Sequence, residues 1–195
     1  ALRVIGNRTD EQIALQIEQG ITCLDLTGSQ LAGIELPAGA NLSALCLDEA
    51  DLTGAILPDA SFAGSNLGRT RLETAILIGA SFDRSTLSLA NLVGADLTNA
   101  RIVDSALNEA DLTQATLIGT RFEQAQLLGA NLGLVTMLQA QFIESNLADV
   151  SLANATVQQS DLATVSGLTD AQIASVAFID AATLLPPELD ASPEA

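Results

Sequence analysis

A five-residue period of apolar residues constrains this chain more than any other feature of its sequence. Every fifth residue from Leu42 to Leu162 is apolar, 25 positions without a break, and in 22 cases the residue two places earlier is Ala, Ser or Thr. The exceptions at that earlier position are Leu45, Val135 and Val150. Five residues turn an α-helix by about 500° and a flat strand alternates its faces, so neither element keeps these positions in one environment. We therefore expect a backbone that turns by a fixed angle every five residues and encloses the apolar positions.

The phenylalanines indicate how many of these turns close one coil. Phe62, Phe82, Phe122 and Phe142 are separated by multiples of 20 residues, and Ile102 fills the remaining place in the series. Twenty residues are four pentapeptides, so we expect a four-sided coil with these five side chains, here called the Phe ladder, stacked inside one wall. Aromatic rings pack well at the spacing of adjacent strands, which is about 4.8 Å.

The segments around the apolar positions resemble a known repeat. They include Ala40-Asn41-Leu42, Ala50-Asp51-Leu52, Ala90-Asn91-Leu92, Ala95-Asp96-Leu97, Ala110-Asp111-Leu112 and Ala130-Asn131-Leu132. These segments are similar to the A(D/N)LXX motif of the pentapeptide-repeat family. The resemblance implies an all-β solenoid, a right-handed quadrilateral parallel β-helix, and does not imply one function. With the earlier positions Ile21, Leu26, Leu31 and Leu36, the repeats amount to about seven coils.

One irregularity and two caps complete the predicted architecture. The step from Leu36 to Leu42 is six residues across Pro37-Ala38-Gly39, which predicts a one-residue bulge at a corner of the first coil. A solenoid end exposes core and strand edge, so terminal caps are expected. The predicted divisions are an N-terminal cap with a short helix at 1–20, the β-helix at 21–166, a C-terminal cap with a short helix at 167–189 and a disordered tail at 190–195.

The capping helices are predicted from two matching motifs. Thr9-Asp10-Glu11-Gln12 and Thr169-Asp170-Ala171-Gln172 both have the spacing of a capping box, and Gly20 is the expected stop of the first helix. Each helix offers an apolar face that could cover an end of the solenoid. The residues of those faces are Ile13 and Ile17 at the N-terminus and Ile173 and Val176 at the C-terminus.

The residue types that most often carry chemistry are missing. The chain has no His and no Lys, so neither a Ser-His-Asp triad nor a Ser–Lys pair can be assembled. Asp51 and Asp111 share a wall, but Arg71 and Asn91 lie between them, which disfavours a Ca²⁺ site. The recurring outward glycines, such as Gly54, fit turn positions better than a phosphate loop. We expect no enzyme activity, no catalytic residues, no cofactor and no metal site.

The two cysteines and the hydropathy pattern bear on the compartment. Cys23 and Cys46 do not amount to a disulfide framework, so reduced thiols are expected. No apolar run is long enough to span a bilayer, and no signal peptide is visible. These observations favour the cytoplasm. Because the sequence begins at Ala1, a cleaved leader to an exported compartment stays open as an alternative.

One wall is predicted to carry apolar residues on its outer surface. Ile56, Ile76, Ile78, Ile118 and Leu138, here called the outer apolar set, map to the wall whose inward residues include Leu57 and Met137. Contiguous exposed apolar surface often marks an interface. The alternative interpretation is the ordinary preference of isoleucine for a pleated surface.

The net charge limits the classes of partner. At −17 the chain repels DNA, RNA and anionic membranes and attracts a basic protein. The favoured hypothesis is a non-enzymatic scaffold with an unknown, basic protein partner, acting as a monomer or as an end-to-end homodimer through the C-terminal cap, a contact that the resemblance implies.

The resemblance also implies an alternative function, DNA mimicry. Some family members resemble B-DNA in width and charge and bind type II topoisomerases such as gyrase, which confers fluoroquinolone resistance. The strong negative charge permits this function here. Against it, arginines interrupt the negative surface at Arg69, Arg71, Arg84, Arg101 and Arg121.

Overall fold

The fold is a right-handed, four-sided parallel β-helix, as predicted. The computed structural model describes residues 8–18, 20 and 23–189. Outward residues pair in parallel with the residue 20 positions later, as in the series Asn41, Ser61 and Ser81. Because such pairs recur every five residues along the chain, each coil has four walls.

The strands are short because a corner follows every fifth residue, which leaves about three residues for each wall. Strands β3, β5 and β7 form the sheet of the Phe ladder, here called the Phe wall, and β4, β6, β8 and β9 form the sheet of the Ile wall. Isolated bridges continue the pairing elsewhere. The elements are α1 (Asp10–Glu18), β1 (Leu24–Asp25), β2 (Leu45–Cys46), β3 (Arg101–Val103), β4 (Thr116–Ile118), β5 (Arg121–Glu123), β6 (Thr136–Leu138), β7 (Gln141–Ile143), β8 (Thr156–Gln158), α2 (Asp170–Ala174) and β9 (Phe178–Ile179).

The solenoid has about eight turns, one more than the sequence predicted. The additional turn comes from residues after α2, which return to the β-helix. Phe178 pairs with Thr156 in register, and Leu184 forms a bridge with Asp161. These offsets are longer than 20 residues because α2 is inserted into the coil, and therefore the five-residue period does not reveal them.

The interior is a continuous aliphatic and aromatic column. All 25 positions of the apolar period are no more than 3% exposed. The structure places the Phe ladder inside one wall, where the rings of Phe62 and Phe82 stack at 4.9 Å between centroids and those of Phe122 and Phe142 at 4.5 Å. Ile102 pairs with Phe122 in the neighbouring coil. Burial of this apolar surface is the main contribution to the stability of the fold.

The small residue two places before each central side chain also points inward. Where this residue is Ser or Thr, its hydroxyl is buried and must find a partner. The Thr70 Oγ1 donates to the carbonyl oxygen of Leu47 at 2.7 Å, and the Thr120 Oγ1 donates to that of Leu97 at 2.8 Å. Small polar residues therefore fit the column because the backbone of the previous coil supplies acceptors.

A one-residue insertion interrupts the first coil at the predicted place. Before it the pairing offset is 21 residues, as between Glu35 and Ile56, and after it the offset is 20, as between Asn41 and Ser61. Gly39 has a φ of +77°, a backbone conformation that glycine adopts without a steric penalty.

The capping boxes form at both helices. At α1, the Thr9 and Gln12 backbone N–H groups are bonded to each other's side chains. At α2, Thr169 and Gln172 make the same reciprocal pair. The side chain of Ile13 is buried, and Ile173 and Val176 pack against the last coil. The side chain of Ile17, residue Ile21 and the predicted tail at 190–195 lie outside the described part of the chain.

The expectation of reduced thiols is wrong, because Cys23 and Cys46 are joined by a disulfide. The two Cα atoms are 5.4 Å apart, within the range that a disulfide requires. Asp25 pairs with Cys46 across the first two coils, which brings Cys23, two residues earlier, beside it. The number of cysteines does not reveal this proximity, because it results from the pitch of the solenoid.

Candidate interaction surface

The outer apolar set lies on two columns of the Ile wall. On a pleated strand, the residues before and after an inward residue both point outward. Ile56 pairs with Ile76 in the column before the inward leucines, and Ile118 pairs with Leu138 in the column after them. Ile76 and Ile78 are 37% and 38% exposed, so a substantial part of each side chain contacts solvent.

A polar coil divides this set into two patches. Asp96 pairs with Ile76 on one side and with Thr116 on the other. The Asp96 Oδ1 accepts hydrogen bonds from the Thr98 backbone N–H at 3.0 Å and the Thr98 Oγ1 at 2.6 Å. The structure therefore shows an upper patch of Ile56, Ile76 and Ile78 and a lower patch of Ile118 and Leu138, instead of one continuous stripe.

The sequence analysis missed one exposed aromatic residue on the same wall. Phe178 lies in β9, pairs with Thr156 and is 49% exposed. It extends the outer surface of the Ile wall toward the C-terminal end. The signal that places it here is the return of the chain after α2, and no five-residue pattern encodes that return.

The Ile wall carries little charge compared with the Phe wall. Between Ile56 and Gln158, all of which the structure describes, Asp96 is the one charged residue in its two outward columns. On the Phe wall, in contrast, Arg101 and Arg121 form ion pairs with Asp83 and Glu123 at 3.0 Å and 2.8 Å. The two walls differ, so a partner that binds through apolar contacts finds a suitable surface on the Ile wall.

The acidic residues form local pairs. The Arg71 Nη2 lies 2.9 Å from the Asp51 Oδ2. This hydrogen bond, together with bonds from Thr53, lowers the pKa of Asp51 to about 2. Among the described residues, no group of three or more Asp, Glu or Cys side chains is placed to hold a metal ion.

A shallow polar groove follows the corner between the Ile and Phe walls. It has a volume of about 530 Å³. Its side chains bond to each other: the Gln139 Nε2 donates to the Gln159 Oε1 at 3.3 Å, and the Arg121 Nη1 donates to the Gln141 Oε1 at 3.4 Å. The groove contains amide and charged groups without a nucleophile or general base in reach. Its lining residues are Gly119, Arg121, Gln139, Gln141, Gln159 and Asp161.

Fold and surface together define a parallel β-helix repeat protein whose walls are its functional surfaces. The family model for pentapeptide repeats matches residues 38–73, 65–102 and 105–133, in 8 copies. The chain belongs to the pentapeptide-repeat family. A comparison with curated protein sequences gave no match. In the described part of the chain, no helix has the length and hydropathy of a membrane span.

Solved structures with the same fold come from proteins of diverse sequence. A trypsin-treated form of QnrB1, a plasmid-mediated fluoroquinolone resistance protein, is 17% identical, with 85% of this chain and 91% of that chain covered and a TM-score of 0.59. Full-length QnrB1 is 19% identical over 84% and 80% of the two chains, with a TM-score of 0.54. HetL, a pentapeptide repeat protein from the cyanobacterium Nostoc involved in heterocyst differentiation regulation, is 23% identical over 92% and 81%, with a TM-score of 0.40. At these identities the QnrB1 matches show the shared fold.

Proposed function

We propose that this chain is a non-enzymatic scaffold that binds a protein partner through the Ile wall. The observation that carries the proposal is the pair of apolar patches on a wall with one charged residue in its outward columns. Branched aliphatic side chains at the surface release ordered water when a partner covers them. No catalytic constellation in the described residues suggests a competing use of this wall.

The partner presents an apolar contact surrounded by basic side chains. The apolar part matches Ile76, Ile78 and Ile118, and the basic surround complements a net charge of −17. Opposite charge accelerates association and makes the rate depend on salt, whereas the apolar contact determines how slowly the complex dissociates.

A double substitution tests this proposal. Ile76→Asp with Ile118→Asp places a carboxylate in each patch, which costs desolvation when the partner covers it. Tagged wild-type protein and this variant are incubated with extract, and proteins bound by the wild type are identified, purified and titrated by calorimetry. We expect the purified partner to bind the double variant at least tenfold more weakly.

The matched control changes apolar residues on other walls. Leu89 and Leu134 are 48% and 49% exposed and lie at corners away from the Ile wall. Leu89→Asp with Leu134→Asp adds the same charge and should leave the affinity within twofold. Equal loss in both double variants would refute the Ile wall as the binding surface. Sedimentation velocity of the same samples distinguishes a single rod from two rods joined at the C-terminal cap.

DNA mimicry is the second candidate function. A sequence pI of about 4.1 in a fold shared with QnrB1 favours it, because an acidic rod can compete with DNA for a basic groove. The ion pairs of Arg101 and Arg121 reduce this negative field on the Phe wall. A gyrase supercoiling assay tests it: neither inhibition nor protection from a quinolone at micromolar protein eliminates this function.

The disulfide supports an oxidising compartment over the expected cytoplasm. Disulfides persist in exported proteins and are rare where glutathione and thioredoxin keep thiols reduced. Cys23 and Cys46 should therefore resist alkylation in protein taken directly from its native cells. Rapid alkylation of both thiols without a reductant would favour the cytoplasm.

A further inference from the structure

The first coil is less well packed than the coils that follow it. Its inward leucines Leu26 and Leu31 are half-buried, whereas Leu67 and Leu72, two coils later, are fully buried. In a solenoid, each coil is stabilised mainly by its neighbours, so a terminal coil opens before the interior ones. The first coil is therefore the part of the β-helix that depends most on additional connections.

Two such connections meet near the start of this coil. Cys23 immediately precedes β1, and its disulfide partner Cys46 lies in β2 of the second coil. In addition, the Arg8 Nη2 donates to the carbonyl oxygen of Ser43 at 2.6 Å. The disulfide closes a loop with a sequence separation of 23 residues, which contains the whole first coil.

The disulfide restricts the opened state of this coil. Cross-linking the ends of a segment removes conformational freedom from its unfolded form and so favours the folded form. Without the cross-link, opening the first coil breaks a short set of parallel contacts, from Leu24 with Leu45 to Glu35 with Ile56. The later coils keep all their own neighbours when this happens.

We propose that the Cys23–Cys46 disulfide is a redox latch that holds the first coil on the β-helix. A dithiol reductant opens it: the S–S bond breaks, two S–H bonds form, and the dithiol is oxidised to its own disulfide. Both cysteines are half-buried, so a reductant can reach their sulfur atoms. The inference concerns the N-terminal end and is independent of the Ile wall.

Opening the latch exposes a strand edge on the second coil. In the closed state the Asp51 N–H donates to the carbonyl oxygen of Ser29 at 2.8 Å, and the Ile56 N–H donates to that of Ile34 at 2.8 Å. When the first coil leaves, these donors have no acceptor in the chain. Such an edge can pair with an added strand of extended peptide.

Amide hydrogen exchange of the full chain tests the latch. The protein is followed by mass spectrometry before and after treatment with the phosphine reductant TCEP, with complete reduction verified by alkylation of both thiols. We expect peptides within residues 24–36 to exchange roughly 100-fold faster after reduction. Peptides within residues 80–160 should change by less than twofold, because those coils lie away from the disulfide.

A variant with Cys23→Ser and Cys46→Ser provides the matched control. It should exchange like the reduced wild type, and TCEP should not change it further. Unchanged exchange at 24–36 after full reduction would overturn the proposal, as would a disulfide that TCEP cannot reduce in the folded protein. Equal acceleration across residues 80–160 would also overturn it, because the disulfide would then stabilise the whole solenoid. If the variant does not fold, the comparison of oxidised and reduced wild type still decides.

Discussion

At the scale of single residues, the corners of the β-helix set an unusual requirement. The last residue of each pentapeptide has a positive φ, and from Ala44 to Gln159 this position holds 18 non-glycine residues. Side chains with a Cβ atom adopt this left-handed conformation at a cost of about 1–2 kcal/mol each. Glycines such as Gly54 and Gly94 avoid that cost, which explains the outward glycines as turn residues.

Replacing a strained corner residue with glycine should stabilise the protein. Leu134 has a φ of +58° and is 49% exposed, so Leu134→Gly relieves backbone strain and removes few contacts. We expect the free energy of unfolding in urea to rise by about 0.5–1 kcal/mol. Leu128 is 45% exposed but does not have a positive φ, so Leu128→Gly should lower the same quantity by about 0.5–1 kcal/mol. Shifts of the same sign in both variants would contradict this account.

The Asp51–Arg71 pair should make stability depend on pH at the acidic end. The pKa of Asp51 is about 2 in the folded chain, below the ordinary value of 3.8. A carboxyl group with a lower pKa in the folded state stabilises the fold above its unfolded pKa, and this contribution disappears as the pH falls toward 2. Asp51→Asn should therefore lower the melting temperature at pH 7, and the difference from the wild type should shrink between pH 4 and pH 2. A difference that is constant over this range would show that the charge of Asp51 is not responsible.

At the scale of elements, the C-terminal cap is fixed by one close approach and several hydrogen bonds. Gly167 precedes α2, and a Cβ atom at this position would lie 2.7 Å from backbone atoms of Ala148. The Gln172 Nε2 donates to the carbonyl oxygens of Leu147 at 3.2 Å and Val150 at 2.9 Å. These contacts attach α2 directly to the last regular coil, so the cap and the coil should open together.

Gly167→Ala should loosen this cap. The added methyl group clashes with the Ala148 backbone, and we expect a loss of about 2–3 kcal/mol in the free energy of unfolding, with faster amide exchange in α2 and β9. Gly129→Ala is the matched control, because Gly129 also has a positive φ but an added Cβ meets just the Glu109 side chain, at 3.6 Å. The control should cost about 1 kcal/mol. Equal costs would show that backbone conformation alone determines the effect.

The elements also show what the sequence could and could not predict. The Phe ladder, the four walls and the insertion at Gly39 follow from a fixed period, because each residue of such a chain has the same neighbours in every coil. Phe178 and the Cys23–Cys46 disulfide depend on how the chain returns outside that period, and a local pattern does not contain that information. The division of the outer apolar set by Asp96 was visible in the repeat once residues were assigned to columns, and it was not weighed.

At the scale of the whole molecule, the net charge of −17 should oppose compactness. Salt screens repulsion between exposed carboxylates, whereas the exposed ion pairs contribute little for it to weaken. We expect the melting temperature at pH 7 to rise by several degrees between about 20 mM and about 500 mM NaCl. Near the pI of about 4.1 the same change in salt should have little effect. A melting temperature that falls with salt at pH 7 would mean that the ion pairs dominate.

The regular pairing of residues 20 positions apart has a consequence for how such a gene can change in length. A duplication or deletion of one pentapeptide leaves the interior column intact, but it rotates every later wall by a quarter turn relative to the earlier ones. The Ile56–Ile76 pair would then no longer share a face with Ile118 and Leu138. Only changes by a whole coil lengthen the rod and preserve its surface, so natural selection acting on a bound partner would be felt as a restriction on indel size.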